Sequence, residues 1–238
     1  MKKIIIHLVF SFLILLMGFA KAQETSDNVT IVGEMRNVMW KGELFGRIHL
    51  DTISNRKNLF GLGPVEYLTG EILIMDGRSY RSTVTSDSTM KVEETYHISA
   101  PFFGYTHVSQ WVEHTLPKHI RSIKDLEGYL NSATIDKPRP FMFKLSGAID
   151  QATIHIVNLP FGTTVRSPDE AHQGLKKYQL QNEQADILGF FSTEHKAVFT
   201  HHDTFVHMHL MTKDQSKMGH LDDVLFKRGA MKLELPWH

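Results

Sequence analysis

The chain contains no cysteine, so disulfides cannot stabilise it and no thiolate is available to bind a metal. Any metal site must therefore use nitrogen and oxygen ligands alone. An excess of basic charge is also missing, since the 26 lysines and arginines are matched by 26 aspartates and glutamates. This balance gives the protein no electrostatic reason to bind nucleic acid. The sequence has no internal repeat and no low-complexity tract.

Long hydrophobic runs are missing except at the N-terminus. Two lysines precede an apolar run over residues 4–19, and Ala-Lys-Ala at 20–22 places small residues at a cleavage site. This pattern is typical of a secretory signal peptide, so we interpret residues 1–22 as one and expect an exported protein, periplasmic or secreted. A membrane anchor is the alternative, but the run is short for a bilayer span. After cleavage we expect a slightly acidic chain with no membrane attachment.

The remaining sequence predicts a mixed α/β (α+β) fold dominated by sheet. Residues 70–80 form an apolar strand closed by an Asp-Gly turn, which indicates a hairpin. Residues 122–130 have helical spacing behind a capping serine, and the two prolines within 137–140 indicate a connector. We therefore expect two β-rich subdomains, residues 23–136 and 137–238, with a metal site on strands of the second.

The second half of the chain is rich in short apolar segments. A serine cap followed by proline and glutamate predicts a helix start at 167–170. The segments predicted to be strands are 141–145, 152–157, 185–191 and 204–212, followed by a last pair at 222–226 and 231–235.

Five of the fifteen histidines lie between residues 201 and 220. Because successive side chains of a strand point to opposite faces, His207 and His209 share one face, and apolar residues occupy the other. The polar residues 213–217 predict a turn that would return His220 on a neighbouring strand. Three imidazoles with a fourth position open to water or substrate describe a catalytic zinc site.

Two alternatives to this metal site remain open. Histidine pairs spaced by one residue also occur by chance on exposed strands. The cupin pattern begins in the same way, but it requires a carboxylate where this chain has Lys213.

His201 and His202 face opposite ways, so we interpret them as surface residues or outer neighbours of the site. We interpret Asp222 and Asp223 as solvated turn residues, the alternative being that one orients a ligand imidazole.

Three groups of residues occur in an order that resembles a known family. The first is Gly-Leu-Gly at 61–63 followed by Gly-Glu at 70–71, and the second is Gly-Phe-Phe-Ser-Thr-Glu at 189–194. The third is His-Met-His at 207–209 followed by Gly-His at 219–220. From about residue 40 to the C-terminus, the chain resembles the bacterial alpha-acetolactate decarboxylases.

The resemblance implies a two-domain, sheet-rich, dimeric zinc lyase that converts 2-acetolactate, a small keto acid, into acetoin and carbon dioxide. It implies that His207, His209 and His220 bind Zn²⁺ and that Glu71 reaches the site from the first domain. A metal that chelates the keto and hydroxyl oxygens would act as a Lewis acid as carbon dioxide departs. A nearby carboxyl group would then manage the proton delivered to the resulting carbanion.

The sequence departs from the family pattern in three places. Pro64 stands where the family has a threonine, and His155 stands where it has an arginine. The family's acidic C-terminal tail is also missing from this sequence. Arg166 lies only eleven residues beyond His155 and is a candidate for the lost positive charge. We take Glu71 and His155 as the candidate catalytic residues.

The sequence leaves two other functions open. One is a different zinc lyase or hydrolase, in which His155 acts as an acid or base near neutral pH. The other is a non-catalytic zinc-binding domain that keeps the histidines for stability or for metal capture.

Overall fold

The structure, a computed structural model, describes residues 28–196, 198 and 204–237. The interpreted signal peptide lies outside these residues, and no helix within them is long and apolar enough to span a bilayer. The α-helices of the described part are α1 (Met35–Lys41), α2 (Ile123–Ala133) and α3 (Pro168–Ala171). Its strands are β1 (Thr30–Val32), β2 (Ile48–His49), β3 (Leu59–Pro64), β4 (Glu71–Met75), β5 (Arg78–Val84), β6 (Met90–Glu94), β7 (Ser99–Ala100), β8 (Phe103–His107), β9 (Val112–Thr115), β10 (Phe141–Ile156), β11 (Lys176–Gln181), β12 (Gln184–Phe191), β13 (Val206–Thr212) and β14 (Met218–Leu235).

Two antiparallel six-stranded sheets make up most of the fold, which confirms the expected sheet-dominated mixed architecture. The first sheet has the order β1-β8-β3-β4-β5-β6, and the second has the order β11-β10-β12-β13-β14-β9. Strands β2 and β7 form a separate short pair. Strand β9 pairs with β14 although it comes from the first half of the chain. The division into subdomains 23–136 and 137–238 stays a prediction.

Local sequence signals place the first hairpin and the longest helix as predicted. Strands β4 and β5 pair around Asp76 and Gly77, whose φ angles of 48° and 76° suit the tight turn of a two-residue hairpin. Helix α2 begins after Ser122, whose side chain accepts a hydrogen bond from the Asp125 N–H, while the Asp125 carboxylate accepts one from the Ser122 N–H. This reciprocal capping box fixes where the helix starts.

Strands β10 and β14 are each continuous, whereas the sequence predicts a break in both. The expected break at Ser146-Gly147 is instead an irregularity in the pairing of β10 with β14. Gly147 has a φ of 149°, and a Cβ atom there would lie 2.0 Å from the carbonyl oxygen of Ala230. Glycine therefore lets the two strands approach closely and continue past each other. Because β10 pairs with both β12 and β14, and β13 joins those two, four strands close into a ring.

The two sheets share a hydrophobic core. Phe60, Leu62 and Leu73 of the first sheet belong to the same buried cluster as Leu188 and Phe190 of the second. A Cβ atom added to Gly104 of β8 would lie 2.6 Å from the ring of Phe190. The absence of a side chain at residue 104 therefore allows the aromatic ring to pack directly on the backbone of the other sheet.

We expect Gly104→Ala to lower the free energy of unfolding by about 1–3 kcal/mol, because the added methyl group overpacks the contact with Phe190. The matched control is Gly128→Ala in α2, where a Cβ atom would meet no neighbour within 4 Å. That control should raise the free energy of unfolding by about 0.5–1 kcal/mol through helix propensity. Urea unfolding of both variants tests the pair, and equal effects would contradict this account of the sheet packing.

Candidate metal centre

Three histidines lie side by side across three neighbouring strands of the second sheet. His155 of β10 is paired with His220 of β14, and His220 is in turn paired with His209 of β13. Directly paired residues point to the same face of a sheet, so the three side chains form a row. His207 lies two residues before His209 on β13 and joins the same face by strand alternation.

The four imidazole rings form one buried cluster with His220 at its centre. Its ring centroid lies 4.5 Å from that of His155, 5.1 Å from that of His207 and 5.7 Å from that of His209. The rings of His207 and His209 are 5.2 Å apart. All four side chains are buried. The structure thus brings together the three histidines predicted to bind metal and the histidine at the family's arginine position.

Glu71 reaches this cluster from the first sheet, where it opens strand β4. Its Oε1 accepts a hydrogen bond of 3.1 Å from the backbone N–H of Val157 and lies 4.0 Å from Nε2 of His155. Its Oε2 lies 3.6 Å from Nε2 of His209. Burial raises the pKa of the Glu71 carboxyl well above its usual value, and the hydrogen bond from Val157 only partly opposes this shift. A carboxyl group of one sheet and imidazoles of the other therefore meet in the buried interior.

Asp222 contacts two of the histidines, so its interpretation as a solvated turn residue is wrong. It lies in β14, two residues after His220 and on the same face of the strand. Its Oδ1 lies 2.5 Å from Nδ1 of His155 and 3.2 Å from Nδ1 of His220, while Lys177 Nζ lies 3.2 Å from its Oδ2. Burial alone would raise the pKa of Asp222, but the hydrogen bonds from the two imidazoles outweigh it and hold the pKa well below the usual value.

The donor set of the cluster fits a divalent cation. Neither ring nitrogen of His209 makes a well-formed hydrogen bond within the described part of the chain, although the ring is fully buried. Burial lowers the pKa of His209 well below its usual value, so the ring is neutral and offers a lone pair. Unsatisfied buried nitrogens cost free energy, and a bound cation would satisfy one of them.

The ring nitrogens of the three predicted metal ligands do not converge on one position. Among the described residues, the group of three whose ligand atoms lie within 4.8 Å of one another is His155, His220 and Asp222. The predicted trio of His207, His209 and His220 does not meet that limit, although its rings are adjacent. Zinc–nitrogen bonds of about 2.0–2.1 Å would require these three rings to turn towards one another.

Two cavities adjoin the histidines. A cavity of about 30 Å³ lies between them and apolar residues of α1 and β3, and both Glu71 and Pro64 line it. An opening of about 370 Å³ is lined on its polar side by His155, His220, Asp222, His172 and Lys177. The smaller cavity is also lined by Met35, Met39, Leu68, Phe102, Val157, His155, His172, His207 and His220.

A cation other than the expected arginine lies next to the site. Arg166 is exposed, its backbone N–H donates to Glu170, and no arginine lines either cavity in the described part of the chain. Lys177 is the residue of β11 paired with His155, which places a positive charge beside that histidine. His172 lies near it, with a ring centroid 6.3 Å from that of His155 and a pKa lowered mainly by burial. His201 and His202 lie outside the described residues.

Sequence reasoning missed Lys177 and kept the contact of Asp222 with a ligand imidazole only as an alternative, although a sequence signal for Asp222 exists. Asp222 follows His220 by two residues, which places both on one face once the strand is known to begin at Met218. The sequence pattern instead predicts a strand that begins at 222, with the aspartate at its edge. Lys177 has no comparable local signal, because its position depends on the register of two strands distant in sequence.

The sequence profile of the family described as alpha-acetolactate decarboxylase matches residues 34–235 of the chain. The match covers nearly all of the described residues and includes every residue of the histidine cluster. No curated protein matches the chain by sequence.

Solved structures with the same fold include two enzymes of one species and one uncharacterised protein. Acetolactate decarboxylases of Bacillus subtilis strain 168 and of Bacillus subtilis subspecies spizizenii each match with a TM-score of 0.71 and 20% identity. Each match covers 87% of this chain and 84% of the other. A Staphylococcus aureus protein of unknown function, described as similar to alpha-acetolactate decarboxylase, matches with a TM-score of 0.70, 17% identity and the same coverage. At identities of 17–20%, these matches show that the chain shares the fold of these proteins.

The buried carboxyl of Glu71 predicts a pH dependence of stability in metal-free protein. Its pKa is raised on folding, so the folded state holds a proton that the unfolded state loses as pH rises past the ordinary glutamate range. The free energy of unfolding should therefore fall as pH rises from about 4.5 towards the raised pKa. Glu71→Gln, which cannot ionise, should lose less stability over this range and be more stable than the parent at pH 7. Urea unfolding at several pH values tests this, and identical pH profiles would contradict it.

Proposed function

The chain belongs to the alpha-acetolactate decarboxylase family, which supports a carboxy-lyase activity, and from this we propose that it converts 2-acetolactate, or a related 2-hydroxy-3-keto acid, into acetoin and carbon dioxide. We further propose that the reaction depends on Zn²⁺ held by His207, His209 and His220. Glu71 and His155 are the proposed catalytic residues.

One observation carries the proposal: a buried carboxyl group from one sheet faces a cluster of buried imidazoles from the other. Oε2 of Glu71 lies 3.6 Å from Nε2 of His209, and its Oε1 lies 4.0 Å from Nε2 of His155. Burying these groups together is costly unless a ligand compensates for it. Such costly arrangements are typical of functional sites.

The reaction breaks the bond between the substrate's carboxylate carbon and its hydroxyl-bearing carbon. The electron pair stays on the hydroxyl-bearing carbon and spreads onto the keto oxygen, and one proton added at that carbon completes acetoin. A bound zinc ion would supply Lewis-acid stabilisation for the negative charge on that oxygen. Glu71 faces the small cavity and is the group that we assign to deliver the proton. Apolar side chains that include Met35, Leu68 and Phe102 also line this cavity and would limit the access of water.

Lys177 supports the binding of an acidic substrate. It lines the opening beside His155, His172 and Asp222 and is the one lysine or arginine among the residues that line the two cavities. We propose that Lys177, with the imidazole of His155, attracts the substrate carboxylate in place of an arginine. Its ammonium group is paired with Asp222, but the side chain is largely exposed, so an incoming anion can reach it.

Export and assembly are proposals of the same kind. The N-terminal pattern at 1–22 supports a cleaved signal peptide and an exported protein, and the family resemblance supports a homodimer. N-terminal sequencing of the mature protein and its molar mass in solution would test the two separately.

The primary test is acetoin formation by the purified mature protein, with metal content measured on the same sample. We expect about one zinc ion per chain, loss of acetoin formation after removal of metal by a chelator, and its recovery when Zn²⁺ is returned. His209→Ala should weaken zinc binding by more than the roughly 10- to 100-fold typical of an outer-shell change. No turnover of acetolactate by fully zinc-loaded protein would rule out this substrate.

Glu71→Gln should lower kcat by about 10²- to 10⁴-fold while the protein still binds zinc, because the amide keeps the shape of the side chain but cannot deliver a proton. Glu113→Gln is the matched control, since Glu113 is an exposed residue of β9 that forms an ion pair with Lys232. Steady-state kinetics with zinc analysis separates the two variants. A kcat for Glu71→Gln equal to that of the control would remove Glu71 from the mechanism.

A second candidate function is favoured by the contact of 2.5 Å between His155 Nδ1 and Asp222 Oδ1. A carboxylate that orients an imidazole in this way is typical of general acid–base catalysis, so His155 could serve a different zinc lyase or a hydrolase. A panel of small keto acids and esters, assayed with the parent and with His155→Ala, distinguishes this function from acetolactate decarboxylation. If His155→Ala matches the parent on every substrate turned over, His155 has no catalytic role.

A further inference from the structure

A single carboxylate oxygen lies between two imidazoles of the cluster. Oδ1 of Asp222 is 2.5 Å from Nδ1 of His155 and 3.2 Å from Nδ1 of His220. The two rings are adjacent, with centroids 4.5 Å apart, and both side chains are buried. An ionised carboxylate has no hydrogen to donate, so both ring nitrogens must be the donors.

We propose that Asp222 is a positioning residue that holds His155 and His220 together in the tautomer with hydrogen on Nδ1. In this tautomer the lone pair of each ring is on Nε2. For His155, Nε2 is the atom that faces Glu71, at 4.0 Å from its Oε1. For His220, Nε2 is the nitrogen whose lone pair would bind a metal. One side chain thereby orients a proposed metal ligand and a proposed catalytic residue at once.

The surroundings of Asp222 suit this role. Lys177 Nζ lies 3.2 Å from Oδ2, the oxygen that makes no hydrogen bond of its own, so the ion pair holds the far side of the carboxylate. The registers of β10 with β14 and of β10 with β11 bring His155, His220 and Lys177 to this point from three strands. In other proteins, the hydrogen bonds that metal-binding histidines donate to outer-shell carboxylates fix the tautomer of the rings.

The inference rests on the proposed function only for its effect on catalysis, because the tautomers are a property of the protein without metal or substrate. The test is therefore made first on metal-free protein carrying ¹⁵N-labelled histidine, above the ordinary histidine pKa. Long-range ¹H–¹⁵N correlation spectra report which nitrogen of each ring bears hydrogen. We expect hydrogen on Nδ1 for both His155 and His220 in the parent protein. Hydrogen on Nε2 of either ring would overturn the proposal.

Asp222→Asn supplies the second measurement. Its amide has the same shape but can donate to Nδ1, so at least one of the two rings should change tautomer. Zinc affinity, measured by competition with a chelator, should fall by about 10- to 100-fold. Asp223→Asn is the matched control, because Asp223 is the next residue on β14 and is exposed. It should leave both the tautomers and the affinity unchanged.

Two further outcomes would count against the positioning role. Unchanged zinc affinity in Asp222→Asn would overturn it. Spectra of zinc-loaded parent protein that show zinc on Nδ1 of His155 or His220 would also overturn it, because Asp222 would then belong to the metal ligands themselves. Failure of the parent to form acetoin would contradict the proposed function, while these spectra and affinities would still decide the role of Asp222. The spectrum of the parent alone decides the tautomers even if Asp222→Asn does not fold.

Discussion

The register between β10 and β14 is the constraint on which the site depends. It sets His155 beside His220, and the short pairing of β14 with β13 sets His220 beside His209. A slip of one residue in either pairing would turn a histidine to the opposite face of the sheet. Gly219 helps to hold this register, because a Cβ atom there would lie 2.5 Å from the carbonyl oxygen of His155. Close approach of the two backbones is therefore part of how the imidazoles come together.

Burial gives the cluster its chemical character. Glu71 and His209 are shifted in opposite directions from their usual pKa values, and in both cases burial is the largest cause, disfavouring the charged form. Asp222 is the exception, because hydrogen bonds from two imidazoles keep it ionised despite partial burial. The interior therefore favours the neutral forms of Glu71 and His209 and holds one negative charge, on Asp222, behind two of the rings. Glu71 and the imidazoles are thus the groups proposed to face a ligand, and Asp222 is the group proposed to orient two of those imidazoles.

Much of the fold and part of the site could be predicted from the sequence. The alternation around His207 and His209 correctly places both rings on one face, because strand periodicity is a local property. The polar turn before His220 was also visible. The pairing of His155 with His220 was not, because the register of β10 against β14 depends on irregularities at several points along both strands. The contact of Asp222 stayed an alternative for a similar reason, because the sequence shows turn-like polarity but not the length of β14.

The closed ring of four strands ties the site to the integrity of the whole second sheet. His220 and Asp222 lie on β14, the last of the described strands, and the same strand joins β13 to β10. A chain shortened before β14 would lose a proposed ligand, the residue that orients it and the strand that closes the ring in a single step. The proposed metal site therefore cannot be transplanted as a short peptide loop, and zinc affinity would report directly whether β14 has joined the folded sheet.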